Sequence, residues 1–424
     1  MMNNVREKLC GCWWPPQSAA VLDASSIAVL SARLLLELSP AAPAAEQHTK
    51  ELVHNHMQIL YSVPQNGTVM VTGSSPEPLL AEASAQIMHY NIWDHRRDKP
   101  YMDLWGLLGD FVNRGFAPQN TIGQLIGRTF SISAMDFAID ALADVCELKY
   151  QTPVTVVAYY KAFLTDEAWE TLCRSTPANG AQLSKNSAAK TFEDAFADAY
   201  LHFSHYGKAN DASPMHDTCA WAHWLRGTAV VCLSDEETSD RIAPIYFSKV
   251  GTVSPPSMSV NLDQDKTGQL ENHRCFDIQS AETLGIFSHG KKLPYIAATH
   301  RYALTTDEGM TLTTRSSPDL PVHPKNDEEA PRYQIYFRGL ATYRNITDHV
   351  RVVVRRMING PPNALFEKHA RKYAVPSLRQ MLPVFAGDSD STAWFDGLSN
   401  AEAWAASHST EGSSTAGPSR GSQS

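Results

Sequence analysis

Apolar positions recur at helical spacing through the first third of the chain. Ile27 to Leu38 is an apolar stretch interrupted by Arg33 and Glu37 and stopped at Ser39-Pro40, which predicts a core helix. A second helix follows the Pro/Ala-rich Ser39 to Ala45, so that residues 24 to 62 read as two helices. Val69 to Thr72 predicts a short strand after the Asn66-Gly67 turn. Leu80, Ala83, Ile87 and Met88 share one face of a helix with a proline-marked start, where Glu77 suits the helix dipole. Residues 101 to 148 continue in the same way, with Leu104, Leu107, Leu108 and Phe111, then Leu125, Ile126 and Phe130, then Phe137, Ile139 and Leu142.

The second half changes period. Beyond a Ser/Ala/Asn/Lys-rich linker at 175–190, Thr191 to Ser204 predicts a helix with Phe192, Phe196 and Phe203 inward. Another helix, Met215 to Leu225, is ended by Gly227. Then Thr228 to Leu233, Arg241 to Phe247, Ser257 to Leu262, Tyr295 to Leu304 and Arg332 to Leu340 read as strands, with Asp277 to Phe287 as a crossover helix. The expected fold is α/β: a helical N-terminal region followed by a mixed β-sheet flanked by helices. The expected organisation is a flexible leader at 1–22, a mainly helical region at 23–174, the linker, a sheet domain at 191–385 and a Ser/Gly/Thr-rich disordered tail at 386–424.

Composition narrows the function. Of 424 residues, 43% are hydrophobic and 19% charged, which supports burial of a core. The net charge of −9 excludes a globally basic nucleic-acid coat but leaves room for a local basic face. No apolar run approaches the roughly 18 residues of a membrane span. With no signal-peptide core and seven scattered cysteines, the expectation is a reduced intracellular protein, cytoplasmic or nuclear. Phosphate-loop, dinucleotide-fingerprint, nucleophile-elbow and zinc-protease motifs are absent.

Two features carry candidate chemistry without any motif. Residues 338 to 379 hold nine Arg or Lys against two acids. Arg344, Arg351, Arg355, Arg356 and Lys372, with Tyr343 and Tyr373 for stacking, would suit the phosphates of DNA or RNA. The alternative is a solvated helix face. His202, His205, His216 and His223 are close in sequence, but no fixed-spacing carboxylate or cysteine completes a metal motif around them.

SPEPLLAEASAQI (75–87), AFADAYLHFSHYGKAND (195–211), WLRGTAVVC (224–232), DRIAPIYF (240–247), PYIA (294–297) and RYQIYFRGLATYRNI (332–346) resemble a large family of uncharacterised fungal proteins. That resemblance implies no activity. Residues 214 to 266 also resemble the core of restriction-endonuclease-like nucleases, in which a helix, three antiparallel strands, a helix and a strand follow one another. In such cores an acid lies on the second strand and an acid-x-lysine on the third. Asp240 matches the first position and Gln264-x-Lys266 the second, with Asp217 or Glu193 as the upstream acid. The resemblance implies Mg²⁺ held by Asp240 and Asp217, and Lys266 assisting phosphodiester hydrolysis.

This sequence departs from the pattern at Gln264, whose amide is a weaker magnesium ligand than a carboxylate. Asp263 and Asp265 flank it but face the other way on a regular strand, and only a bulge would turn either one inward. Arg241 beside Asp240 is expected to pair with a nearby carboxylate. The functional expectation is therefore a nucleic-acid-associated, degenerate Mg²⁺-dependent phosphodiesterase. The alternative is a non-catalytic scaffold that binds a protein partner through its helical half.

Overall fold

Several helices begin where a polar side chain satisfies open N–H groups of the first turn. In a computed structural model of the chain, Asp23 and Ser26 form a reciprocal capping box at α2 (Ala24–Leu34). Asp103 caps α5 (Leu104–Asn113), Thr155 caps α7 (Val156–Phe163) and Thr165 caps α8 (Asp166–Cys173). The structure describes residues 2–10, 23–39, 45–62, 71–89, 103–118, 121–142, 148–209, 216–232, 239–250, 252–267, 287, 292–303, 308–312, 330–344 and 346–359. All of the crossover helix expected at 277–287 except Phe287, together with the tail and Lys372, lies outside them.

The remaining helices are α1 (Met2–Cys10), α3 (Ala45–Asn55), α4 (Pro78–Met88), α6 (Ile122–Asp140), α9 (Lys185–Ala188), α10 (Phe192–Phe196), α11 (Asp217–Leu225) and α12 (Asp348–Asn359). Residues 2 to 10, expected as part of a flexible leader, are a helix whose Leu9 is buried. The linker is also structured: buried Asn179 donates to the Ala330 carbonyl and accepts from the Arg332 N–H. Met1–Ile358 cluster as one compact unit, so the helical and sheet regions share a core.

Two strands, β1 (Gln58–Ser62) and β2 (Val71–Ser74), form a separate antiparallel pair. The main sheet runs β10 (Gly309–Leu312), β11 (Arg332–Arg338), β9 (Tyr295–Arg301), β8 (Met258–Lys266), β7 (Arg241–Phe247), β4 (Ala199–Leu201), β3 (Val154–Thr155). At the start of β7 its far edge also takes β6 (Thr228–Val231), which pairs in parallel with β5 (His205–Lys208). Strands β6, β7 and β8 are successively antiparallel. Strands β8, β9 and β11 are parallel to one another.

The helix expected over Thr191 to Ser204 stops at Phe196 and gives way to β4 and β5. The aromatic-rich run from Tyr200 to Tyr206 suits a half-buried strand better than a helix, and pairing with β7 and β6 supplies its backbone partners. His202 and His205 therefore do not share a helical face. His202 Nδ1 bonds the Trp224 carbonyl, and His205 sits between Ser204 and Thr228.

The two faces of the sheet are distinct. Alternation along β8 puts Asn261, Asp263 and Asp265 on an inner face covered by α6 and α7, and Leu262, Gln264 and Lys266 on an outer face. Helix α11 covers part of the outer face, with the Trp224 ring 5.1 Å from that of Tyr246. Gly127 on α6 brings the helix against the inner face. A Cβ there would fall 2.3 Å from an Asp265 carboxylate oxygen, so only glycine allows this approach.

Candidate functional site

The strand β7 begins at Arg241, and Asp240 stands one residue before it at the rim of the sheet. The ladder continues past the strand end: the Asp240 N–H donates to the Asp263 carbonyl at 2.9 Å, and the Asp240 carbonyl accepts from the Cys232 N–H. The Asp240 carboxylate replaces the next rung. One oxygen accepts the Asp265 N–H at 2.6 Å, and the other accepts the Gln124 amide of α6 at 3.1 Å. Burial and the Asp265 carboxylate push Asp240 above the usual carboxylate range, while those two hydrogen bonds and the Lys266 ammonium hold it back.

Register decides what stands beside it. The β7–β8 pairing runs without a break from Tyr246↔Met258 to Arg241↔Asp263. No bulge intervenes, so Gln264 and Lys266 leave the strand on the outer face, half-buried and exposed respectively. Lys266 lies close enough to Asp240 for its charge to stabilise the carboxylate. The structure thus gathers Asp240, Gln264 and Lys266 at one end of the sheet.

The flanking acids are committed elsewhere. Arg241 is buried on the inner face, with Nε 2.6 Å from one Asp265 oxygen and a terminal nitrogen 3.0 Å from the other. Its remaining nitrogen donates to Ser131 and Tyr206 and lies 3.4 Å from Asp263. Tyr302 donates to Asp265 at 2.7 Å. Asp263 contacts His300 Nε2 at 3.2 Å and accepts from Asn261 at 3.1 Å, and His300 Nδ1 contacts the Tyr343 hydroxyl. Burial opposes the Asp263 charge, yet Arg241 and His300 hold its carboxyl below the ordinary range. A carboxylate whose oxygens are taken up by buried guanidinium, imidazole, amide or hydroxyl groups is structural chemistry, not an open ligand.

The upstream acids separate. Asp217 opens α11, buried, with its carboxylate accepting the Thr218 N–H. Glu193 is exposed on α10, which packs through Phe192 against Tyr160 and Tyr333. That is the inner face, so Glu193 is not positioned to join Gln264 and Lys266. Glu193 was expected on a helix over 191–204, one helix before that of Asp217, whereas that helix ends at Phe196 and β4 and β5 follow it.

The basic segment divides similarly. Arg344 donates to the Lys161 and Leu164 carbonyls and pairs with Asp166. Arg351 and Arg355, on α12, both approach Glu308, at 3.5 and 3.6 Å. Arg356 is exposed. Val350, Val353, Val354 and Met357 form the buried face of the same helix, at a spacing typical of an amphipathic surface helix. Each such burial contributes about 1.5–3 kcal/mol, so docking the helix is the main role of this segment.

Two residues of the site, Gln124 and Arg301, were not singled out in the sequence, and a third, Arg338, was counted only within the basic segment 338–379. Gln124 lies within an apolar helix and reaches Asp240 only through tertiary packing. Arg301 and Arg338 end β9 and β11, and the register sets Lys266 beside Arg301 and Arg301 beside Arg338. Parallel pairing across long connections leaves no local signature of such a row.

No protein-family model, curated protein or solved structure matches this chain. The site therefore has to be judged on its own donors. Among the described residues, no three His, Cys, Asp or Glu side chains are grouped to hold a metal ion. Asp240 offers one carboxylate, already accepting two hydrogen bonds, and its neighbour is an amide. With both Asp240 oxygens already accepting hydrogen bonds and Gln264 adding only a neutral amide, this donor set does not fit tight Mg²⁺ binding. No described helix is long and apolar enough to cross a membrane.

Proposed function

We propose that the protein associates with nucleic acid through a restriction-endonuclease-like core whose magnesium site is degenerate. The single observation that carries this reading is the place of Asp240 at the sheet rim, its carboxylate accepting the N–H of Asp265 on the unbroken strand that carries Gln264 and ends on Lys266. The succession of α11, the antiparallel β6–β7–β8 and then β9 supports it, following the order that the resemblance implies except for the helix before the last strand, which falls outside the described residues. Asp240 and Lys266 supply an acid and a cation suited to a phosphodiester. Gln264 withholds the second negative charge that a divalent cation would need. Phosphodiester binding without efficient cleavage is the expected outcome.

Replacing Gln264 by Glu tests the geometry. Isothermal titration of the variant with Mg²⁺ is expected to show binding that the unaltered protein lacks, abolished again by Asp240→Asn. If Gln264→Glu binds no more Mg²⁺ than the unaltered protein, the rim is not a vestigial metal site. The exposed Met57, Ile59, Leu60 and Tyr61 around β1 favour the second reading, a scaffold that docks a protein partner on its helical half.

A further inference from the structure

The three parallel strands of the main sheet each end on a cation. Lys266 is the last residue of β8, Arg301 of β9 and Arg338 of β11, and the register places them side by side on the outer face. Neighbouring strands lie about 4.8 Å apart, so the row spans about 10 Å. Ligands of open α/β sheets bind beyond the carboxyl ends of the strands, which is where this row stands.

Like charges directly opposite across strands repel, and an anion lying on the row relieves that repulsion. Lys266 is exposed and Arg338 half-buried. Between them Arg301 is buried, its guanidinium 5.7 Å from the centroid of the Tyr336 ring, which limits its rotamers. Gly339 follows at φ 69°, turning the chain away immediately after Arg338. Among the described residues, the acids facing this end are Asp240 and Glu308. Glu308 is shared by Arg351 and Arg355 and also accepts the Leu340 N–H. Among the described residues, Lys266, Arg301, Arg338, Arg351 and Arg355 thus outnumber the acids at this rim, on a chain of net charge −9.

We infer that the carboxyl ends of β8, β9 and β11 form a phosphate track that holds the backbone of a nucleic-acid strand and leads it to Asp240. This rests on the reading above and adds the direction and the contacts of the bound polymer. A row about 10 Å long exceeds the reach of one phosphate group. It matches a polymer with a charge about every 3.4 Å of axis per strand. Lys266 and Arg338 meet the phosphate oxygens, and Arg301 supplies a fixed positive field between them.

The test is fluorescence anisotropy of the full chain with a single-stranded oligonucleotide, the matching duplex and inorganic phosphate as competitor, in EDTA, across a salt series. About three phosphate contacts predict a slope of log affinity against log salt near −2 for a single strand and near −3 for a duplex. Arg338→Gln and Lys266→Gln are each expected to weaken binding about tenfold and flatten the slope by about one contact. Arg338→Lys should restore most of the loss, and the exposed Lys185→Gln should change nothing.

Without nucleic acid, Arg338→Gln should melt at the same or a slightly higher temperature, which separates lost binding from lost fold. Unchanged affinity and slope in both row variants, no binding to either oligonucleotide, or equal competition by millimolar phosphate and by excess oligonucleotide phosphate would each overturn the track. Track binding without any metal response in Gln264→Glu sinks the degenerate-metal reading alone. The reverse pattern sinks the track alone.

Discussion

The two faces of strand β8 use the same residue types to opposite ends. On the inner face, Arg241, Asp263, Asp265, His300 and Tyr302 are buried in one hydrogen-bonded network, where each charge has its partner. On the outer face and rim, Asp240, Gln264, Lys266, Arg301 and Arg338 form a strip with more cations than anions. In a low-dielectric interior an unpaired charge is expensive, so an ionic group there must be neutralised locally. Near water the penalty shrinks, and a surplus of one sign can serve a ligand instead. The first face builds structure, and the second is the one proposed to bind.

Disrupting the inner network should have the largest effect. Asp265→Asn leaves Arg241 buried beside a neutral amide and is expected to lose about 3–5 kcal/mol in urea unfolding. Arg241→Met exposes two buried carboxylates to each other and should cost as much. If either variant lost no more stability than Lys266→Ala, the division of labour between the faces would be wrong.

Next in size is Gly127→Ala. Alanine favours a helix by about 1 kcal/mol over glycine, yet the added methyl collides with Asp265. The expected net loss is about 1–3 kcal/mol, as for overpacking. A gain in stability would mean that α6 does not press on the sheet at this point.

A pH series separates the faces by sign. Asp263 has a folded pKa depressed below its unfolded value, so its contribution is present above the unfolded pKa and lost as pH falls through the folded one. Asp240 has a raised folded pKa, so ionising it costs stability as pH rises past the unfolded value. Asp263→Asn should therefore be most harmful at neutral pH and less so near pH 3. Asp240→Asn should be neutral or slightly stabilising at pH 7. Urea midpoints at pH 3, 5 and 7 check both, and identical trends would refute the contrast.

Buried His205 adds a distinct slope. Burial lowers its pKa to about 3, so stability falls as pH drops below about 6.5, by at most about 1.4 kcal/mol per pH unit. Its replacement by Gln should flatten that part of the curve.

The smallest expected effect is that of Lys266→Ala on stability, within about 0.5 kcal/mol, as for an exposed residue without a structural partner in the core. A loss above about 1.5 kcal/mol would place Lys266 with the inner network.

Part of this was legible before any coordinates. Alternation along the third strand already set Asp263 and Asp265 opposite to Gln264 and Lys266, and Arg241 beside Asp240 was expected to pair with a nearby carboxylate. The buried faces of α4, α6 and α12 appear in the spacing of their apolar residues. The Thr191–Ser204 segment misled because its aromatic residues satisfy both periods, and only pairing with β7 and β6 decided between them.

The sequence by itself determined the α/β class, the main strands and the amphipathic helices, because periodicity and capping act over a few residues. Tertiary structure decided which charges meet. It set Gln124 beside Asp240, sent Arg344, Arg351 and Arg355 to acids or carbonyls of this chain, and aligned Lys266, Arg301 and Arg338 across three parallel strands. Electrostatic contacts depend on distance in space, and parallel strands become neighbours only through long connections whose local sequence carries no record of the register.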